Sequence, residues 1–108
     1  MNISKSDWKL FQDKLPEWQE NYMEKLVKKY IKFLSDENKD ASEKFWELEK
    51  RIKKDRRHPG VIMELQKSET MWNIVELLRL KVITQVDLVD FSDDLQQEVK
   101  RIMEIRRG

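Results

Sequence analysis

Two glycines and two prolines are all the punctuation in this 108-residue chain, and Gly108 is its last residue. Tight strand connections need residues that tolerate positive φ or fix a bend, so a sheet-rich fold has almost nowhere to turn. The apolar residues recur instead at intervals of three and four, the period of a helix. The chain therefore reads as all-α. The expectation is a compact single-domain bundle of five or six helices over residues 1–108, joined by short polar loops.

The helices divide at recognisable caps and breakers. Ser6 is expected to cap a first helix over 7–14, with Trp8, Phe11 and Leu15 on one face. Pro16 should end it, because the residue before a proline is pushed out of the helical region. A second helix over 17–34 presents Trp18, Tyr22, Leu26, Tyr30 and Phe33, and Met23, Val27 and Ile31 widen that stripe enough for more than one neighbour. Asp40 and Glu43 have the spacing of a capping box. The third helix follows to about Arg57, with Phe45, Leu48 and Ile52 inward and Trp46 at the flank; His58-Pro59-Gly60 stops it. A fourth helix is expected over 61–80, carrying Ile62, Leu65, Met71, Trp72, Val75 and Leu78 on its face. Thr84 caps a short fifth helix with Leu88 and Phe91. Ser92 caps the last, which turns Leu95, Val99 and Ile102 to the core.

Charged residues make up 40% of the chain, a level that also occurs in disordered proteins. Disordered chains lack aromatics and large aliphatics, whereas this one spaces them periodically, so the charge reads as the solvated faces of amphipathic helices. No stretch free of charge exceeds six residues, against the roughly 20 apolar residues a spanning helix needs. A soluble, cytoplasmic protein without a leader segment is the expectation.

The residues for catalysis are sparse. There is no Cys and one His, so a zinc site of the usual nitrogen–sulfur type cannot be assembled. His58 lies at a helix break and reads as a loop residue. The pairs Glu20/Glu24, Glu43/Glu47 and Asp90/Asp94 each share a helix face. Among 21 acidic residues such pairs arise by chance, so they read as solvated surface. Gly60 stands alone and makes no phosphate loop. No catalytic, metal-binding or cofactor-binding residue is expected, and the chain reads as a binding protein.

The distribution of charge is more informative than the net +1. Residues 25–57 hold twelve Lys/Arg against seven Asp/Glu, and Lys50, Arg51, Lys53, Lys54, Arg56 and Arg57 fall within eight positions. Lys25, Lys28, Lys29 and Lys32 form a second basic stripe. Such a surface suits phosphate backbones or an acidic partner, or it is a cation-rich helix end favoured by the helix dipole. Trp46 beside it has the character of an interface anchor. Residues 87–98 are the reverse: Asp87, Asp90, Asp93, Asp94 and Glu98 with no cation between. They either dock a basic surface or serve as helix-start acids. One basic and one acidic pole also leave self-pairing open.

Three segments taken together carry a resemblance: Leu15-Pro-Glu-Trp-Gln-Glu-Asn-Tyr-Met-Glu-Lys-Leu26, Lys44-Phe-Trp-Glu-Leu-Glu-Lys-Arg-Ile52 with Pro59-Gly60 after it, and Ile83-Thr-x-x-Asp-Leu-x-x-Phe-Ser92. The chain resembles a group of short helical proteins of low-GC Gram-positive bacteria and their mobile elements. Members often carry the label "multidrug transporter", which the absence of any spanning segment contradicts here. The resemblance implies a mobile-element or phage protein that inhibits or regulates a nucleic-acid-processing partner such as a nuclease, an anti-CRISPR inhibitor being one form. The alternative is a regulatory protein that binds DNA or RNA directly through the basic helix around 50–57.

Overall fold

The computed structural model describes residues 2–107, with side chains as far as Ile105. It holds four α-helices: α1 (Lys5–Leu34), α2 (Ala41–Asp55), α3 (Thr70–Arg79) and α4 (Asp93–Arg107). Single 3-10 turns, Lys67–Glu69 and Gln85–Leu88, precede α3 and α4. No strand occurs among the described residues. The fold is all-α, with four helices instead of the five or six expected.

Each lost helix has a physical reason. The first two are one: Pro16 sits inside the 30-residue α1. A proline in a helix removes one backbone bond, here to the carbonyl of Gln12, and both residues are exposed. Phe11, Leu15 and Trp18, on either side of Pro16, are all buried, and that burial holds both flanks in line. The cap is Ser4 rather than Ser6: its Oγ accepts from the Asp7 N–H at 3.1 Å. The helix expected over 61–80 shrinks to α3. The Val61 and Ile62 N–H groups both bond the His58 carbonyl, and the chain then runs without helix to the 3-10 turn before α3. Ile62 and Leu65 are consequently exposed, and so is Trp72. The expected fifth helix contracts to the turn Gln85–Leu88, whose Thr84 N–H donates to the Asp87 carboxylate at 2.8 Å.

The chain forms two compact units. The first comprises the residues up to Trp18 and those from Glu64 onward. It contains every buried apolar side chain among the described residues. Phe11, Leu15 and Trp18 of α1 meet Met71, Ile74, Val75 and Leu77 of α3, Leu88 and Phe91, and Leu95, Val99 and Ile102 of α4 in this core. The last three have the i, i+4, i+7 spacing of one helical face. A line of tilted rings runs through it, with Phe11–Trp18 centroids at 6.2 Å and Trp18–Phe91 at 6.1 Å. Just past the end of α3 and its C-cap Leu80, Lys81 stands at φ 61°, the left-handed conformation that a helix stop commonly gives to glycine. The Val82 N–H bonds the Leu77 carbonyl and the Lys81 N–H bonds that of Leu78, closing the last turn.

One carboxylate is built into this core. Asp7 is 3% exposed. It accepts from the Ser92 N–H at 3.0 Å and the Ser92 hydroxyl at 2.6 Å. The same hydroxyl oxygen accepts from the Leu95 N–H at 3.2 Å, so Ser92 caps α4 while Asp7 orients the cap. Two helix starts are thereby joined by one side chain.

The second unit, Gln19–Met63, is a helical hairpin made of the later part of α1, the loop 35–40 and α2. Its helices run antiparallel. Phe33 lies against Arg51, Tyr30 against Asp55, Tyr22 against His58 and Gln19 against Pro59. At the base, the Tyr22 ring stacks on His58 at 4.6 Å between centroids. Gly60 is required beside it, since a Cβ there would stand 2.4 Å from Tyr22 Cδ1.

Candidate partner-binding surface

Helix α2 begins at the expected place, with Asp40 extended at the N-cap position, although its side chain makes no capping bond. Its orientation is the unexpected feature. The stripe turned toward α1 is Lys44, Leu48, Arg51 and Asp55, spaced i, i+4, i+7, i+11, and all four are partly buried. Of the apolar residues expected to face inward, Leu48 does and the others do not. Phe45 is 63% exposed, Ile52 is exposed, and Trp46 is 64% exposed. No residue of α2 is fully buried.

This inversion works because α1 offers aromatic rings that polar groups can cover. The Arg51 guanidinium lies over the Phe33 ring at 4.1 Å from its centroid, and the Lys39 ammonium stands 5.4 Å from it. Glu47 bonds Arg51 at 3.2 Å and fixes the fork in place. The Tyr30 hydroxyl donates to the Asp55 carboxylate at 2.5 Å. Burial, that hydrogen bond and the charge of Asp55 push the Tyr30 phenol up to about 12. Burial first, then Asp55, raises the Tyr22 phenol as well.

The basic residues of α2 therefore divide. Arg51 belongs to the seam with α1. Lys53 pairs with Glu49 at 2.8 Å on the exposed side. Among the described residues Lys50, Lys54, Arg56 and Arg57 form no ion pair. Trp46, Lys50 and Lys53 follow one another at i, i+4, i+7 and form a single outward row, and Arg57 continues it just past the helix end. The Trp46 ring packs edge-on against Phe45, 4.9 Å between centroids. Phe33, Lys39, Glu43, Trp46, Glu47 and Lys50 line an open hollow of 350 Å³. On the other flank of the hairpin a smaller, almost wholly apolar cleft of 160 Å³ runs between Met23, Val27 and Ile52.

The acidic residues are dispersed among separate tasks in the first unit. Asp87 turns back onto the Thr84 N–H. Asp90 pairs with Lys14 at 3.4 Å. Glu98 pairs with Arg101, and that bond holds its carboxyl below the usual carboxylate range. Asp93 and Asp94 occupy the first turn of α4, where the helix dipole favours them. Asp94 opens onto a hollow shared with Gln97, Glu98 and Arg101. His58 accepts the Gly60 N–H and stacks on Tyr22, a packing role.

Sequence reasoning missed Asp7 and Asp55, and it placed Tyr30 on an inner face without its partner. The first had a signal, since Ser4-x-x-Asp7 has helix-start spacing. The pairing of Tyr30 with Asp55 spans 25 positions and had none. Among the described residues no His, Asp and Glu cluster is placed to hold a metal ion, and no helix is long and apolar enough to cross a membrane. No family model matches the sequence, and no curated protein or solved structure shows significant similarity to it. The resemblance carried by Leu15–Leu26, Lys44–Ile52 and Ile83–Ser92 rests on those residues alone.

Proposed function

We propose that this chain is a non-enzymatic binding protein that engages a protein partner through the outward face of α2 and so inhibits or regulates a nucleic-acid-processing complex. The observation that carries the reading is the inverted amphipathicity of α2. A helix that spends its charged stripe on its own neighbour and leaves Phe45 and Trp46 outside has its apolar surface set for something else. Contiguous exposed apolar groups rimmed by charge mark protein interfaces more than free surface. Trp46 supplies the anchor, and Lys50, Lys53, Lys54, Arg56 and Arg57 supply the electrostatic fit to an acidic surface, such as nucleic acid already held by the complex. An anti-CRISPR inhibitor from a mobile element is the specific case suggested by the sequence resemblance. The acidic set Asp87, Asp90 and Asp94 is a second, weaker contact region, because most of it is engaged within the fold.

Direct binding of DNA or RNA has one observation in its favour, the row in which Trp46 alternates with Lys50 and Lys53. An aromatic platform between cations is how sequence-tolerant single-strand binders hold bases and phosphates.

The test is capture from a lysate of the native host, with and without nuclease, using the wild type and a Trp46→Ala/Lys50→Glu/Lys53→Glu variant. Arg51 is left unchanged because it holds the hairpin. The expected result is a defined protein that survives nuclease and is lost with the variant, while the variant's circular-dichroism melt matches the wild type. A captured protein retained equally by the variant sinks the α2 reading. Recovery of nucleic acid alone, with affinity falling steeply as salt rises, transfers the row to direct binding.

A further inference from the structure

One flank of the hairpin is apolar and uncovered. Met23, Val27 and Ile31 follow one another at i, i+4, i+8 along α1; Val27 is 51% exposed and Ile31 57%. Ile52 of α2 meets Met23 and Val27 across the 160 Å³ cleft, so both helices contribute to one face. Isolated exposed apolar residues are ordinary, but a continuous row over two helices is not.

The border of that row identifies the occupant. Immediately beside it on α1 runs a second i, i+4 series, Glu20, Glu24, Lys28, Lys32, all exposed. Its charges read minus, minus, plus, plus. The order is antisymmetric about its midpoint, next to Val27. The helix dipole does not explain it, since its influence fades within the first and last turns and Glu20 and Glu24 lie in mid-helix. Nor does support within the helix: that accounts for Glu24 with Lys28, which pair at 3.7 Å, and leaves Glu20 without a cation at its own spacing. An antisymmetric row is matched by its own copy running in the opposite direction. Two-fold symmetry then sets Glu24 against Lys28 and Glu20 against Lys32, and repeats both pairs on the other side.

We propose that two copies of this chain associate through this face, α1 antiparallel to α1 of the second copy, crossing at Val27. The apolar row Met23–Val27–Ile31 packs on its symmetry mate, and the cleft beside Ile52 receives an apolar side chain of the second copy. The charged row fixes direction: parallel pairing would set like charges side by side, and antiparallel pairing sets opposite ones. The existing Glu24–Lys28 pair is no obstacle, because both side chains are largely solvated and such a pair contributes little where it stands. The face lies on a different flank of the hairpin from the Trp46–Lys50–Lys53 row, so the pairing does not depend on the partner-binding reading.

The test is the mass in solution by light scattering as concentration rises, on the full chain. The expected result is a rise from the 13.2 kDa chain mass to twice that value. Ile31→Glu holds the mass at that of one chain. Lys28→Glu/Lys32→Glu makes the row wholly acidic and Glu20→Lys/Glu24→Lys makes it wholly basic; each alone loses the dimer, and an equimolar mixture regains it. These positions are exposed, and an unchanged far-ultraviolet circular-dichroism spectrum verifies each fold. The chain has no native Cys, so Val27→Cys should cross-link to its own copy under oxidation while Lys29→Cys, on the far side of α1, does not. A wild type that stays at the single-chain mass at every concentration overturns the proposal. So does a dimer that survives both charge variants taken singly, or cross-linking at Lys29→Cys but not at Val27→Cys.

Discussion

The two units of this molecule are built from the same helix-forming, charge-rich sequence, yet they are held together differently. The unit containing α3 and α4 buries fourteen apolar side chains among the described residues. The hairpin 19–63 buries none, and its only fully buried residue is Gly60. Burying a large apolar side chain is worth about 1.5–3 kcal/mol. A cation over a ring or a neutral hydrogen bond is worth about 1 kcal/mol. The first unit is thus a closed core. The hairpin is a seam of specific contacts, Arg51 on Phe33, Tyr30 on Asp55 and Tyr22 on His58, whose apolar residues remain available. Buried apolar surface is concentrated in one region and the proposed binding surface in the other, the division expected where a functional element is drawn from the less stable part of a fold.

The largest effect should separate the two units directly. Phe11 is wholly buried, and Phe11→Ala is expected to cost about 3–5 kcal/mol in chemical denaturation. Phe45→Ala, the same substitution on the outward face of α2, should change stability by no more than about 0.5 kcal/mol. Equal costs would mean that Phe45 is covered and that the contrast between the units is false.

That same pair of phenylalanines shows where the sequence was legible. Periodicity located the core stripe of α4, the Phe11–Leu15 face of α1 and the Ser92 cap, because each is an apolar face meeting an apolar core. It failed on α2 for a definite reason. Counting apolar positions assumes that the inner face is apolar, and here Arg51 and Asp55 are the inner residues because rings of α1 accept them. It also ended α1 at Pro16, since the loss of one hydrogen bond is visible in sequence while the burial of Leu15 and Trp18 that offsets it is not. For the candidate surface, the exposure of Trp46 was expected, but on the premise that Phe45 beside it points inward, and Phe45 is exposed as well. The engagement of Arg51 and the dispersal of the acidic run depend on contacts between distant residues.

The next effect concerns the one carboxylate inside the closed core. Asp7→Ala leaves the Ser92 N–H and hydroxyl without their buried acceptor at the start of α4, and should cost about 1–3 kcal/mol. Asp7→Asn keeps one acceptor oxygen and should lose less than Asp7→Ala does. A melt unmoved by either change would show that water replaces the carboxylate and that Asp7 is less enclosed than the fold implies. No residue of the hairpin offers an equivalent experiment, because none of its polar contacts is fully buried.

The smallest effect belongs to the seam and is read by titration. An unfolded tyrosine ionises near pH 10, as expected for an ordinary phenol. Tyr30 in the folded hairpin holds its proton to about 12. Between those values the unfolded chain has released a proton that the folded one keeps, so rising pH favours unfolding there. The contribution of Tyr30 is fully present below pH 10 and is lost as pH passes about 12. The chain has only two tyrosines, and Tyr22→Phe leaves Tyr30 as the sole source of the tyrosinate ultraviolet band. In that variant the band should appear well above the pH of a free phenol. Adding Asp55→Asn should bring it down part of the way, since the charge and the carboxylate bond go while burial, the leading cause, remains. If Tyr30 titrates as a free phenol while far-ultraviolet circular dichroism still reports intact helices, then α2 is not held against α1. The hairpin would then be two independent helices, and the outward set of Trp46, Lys50 and Lys53 could be held by α2 alone.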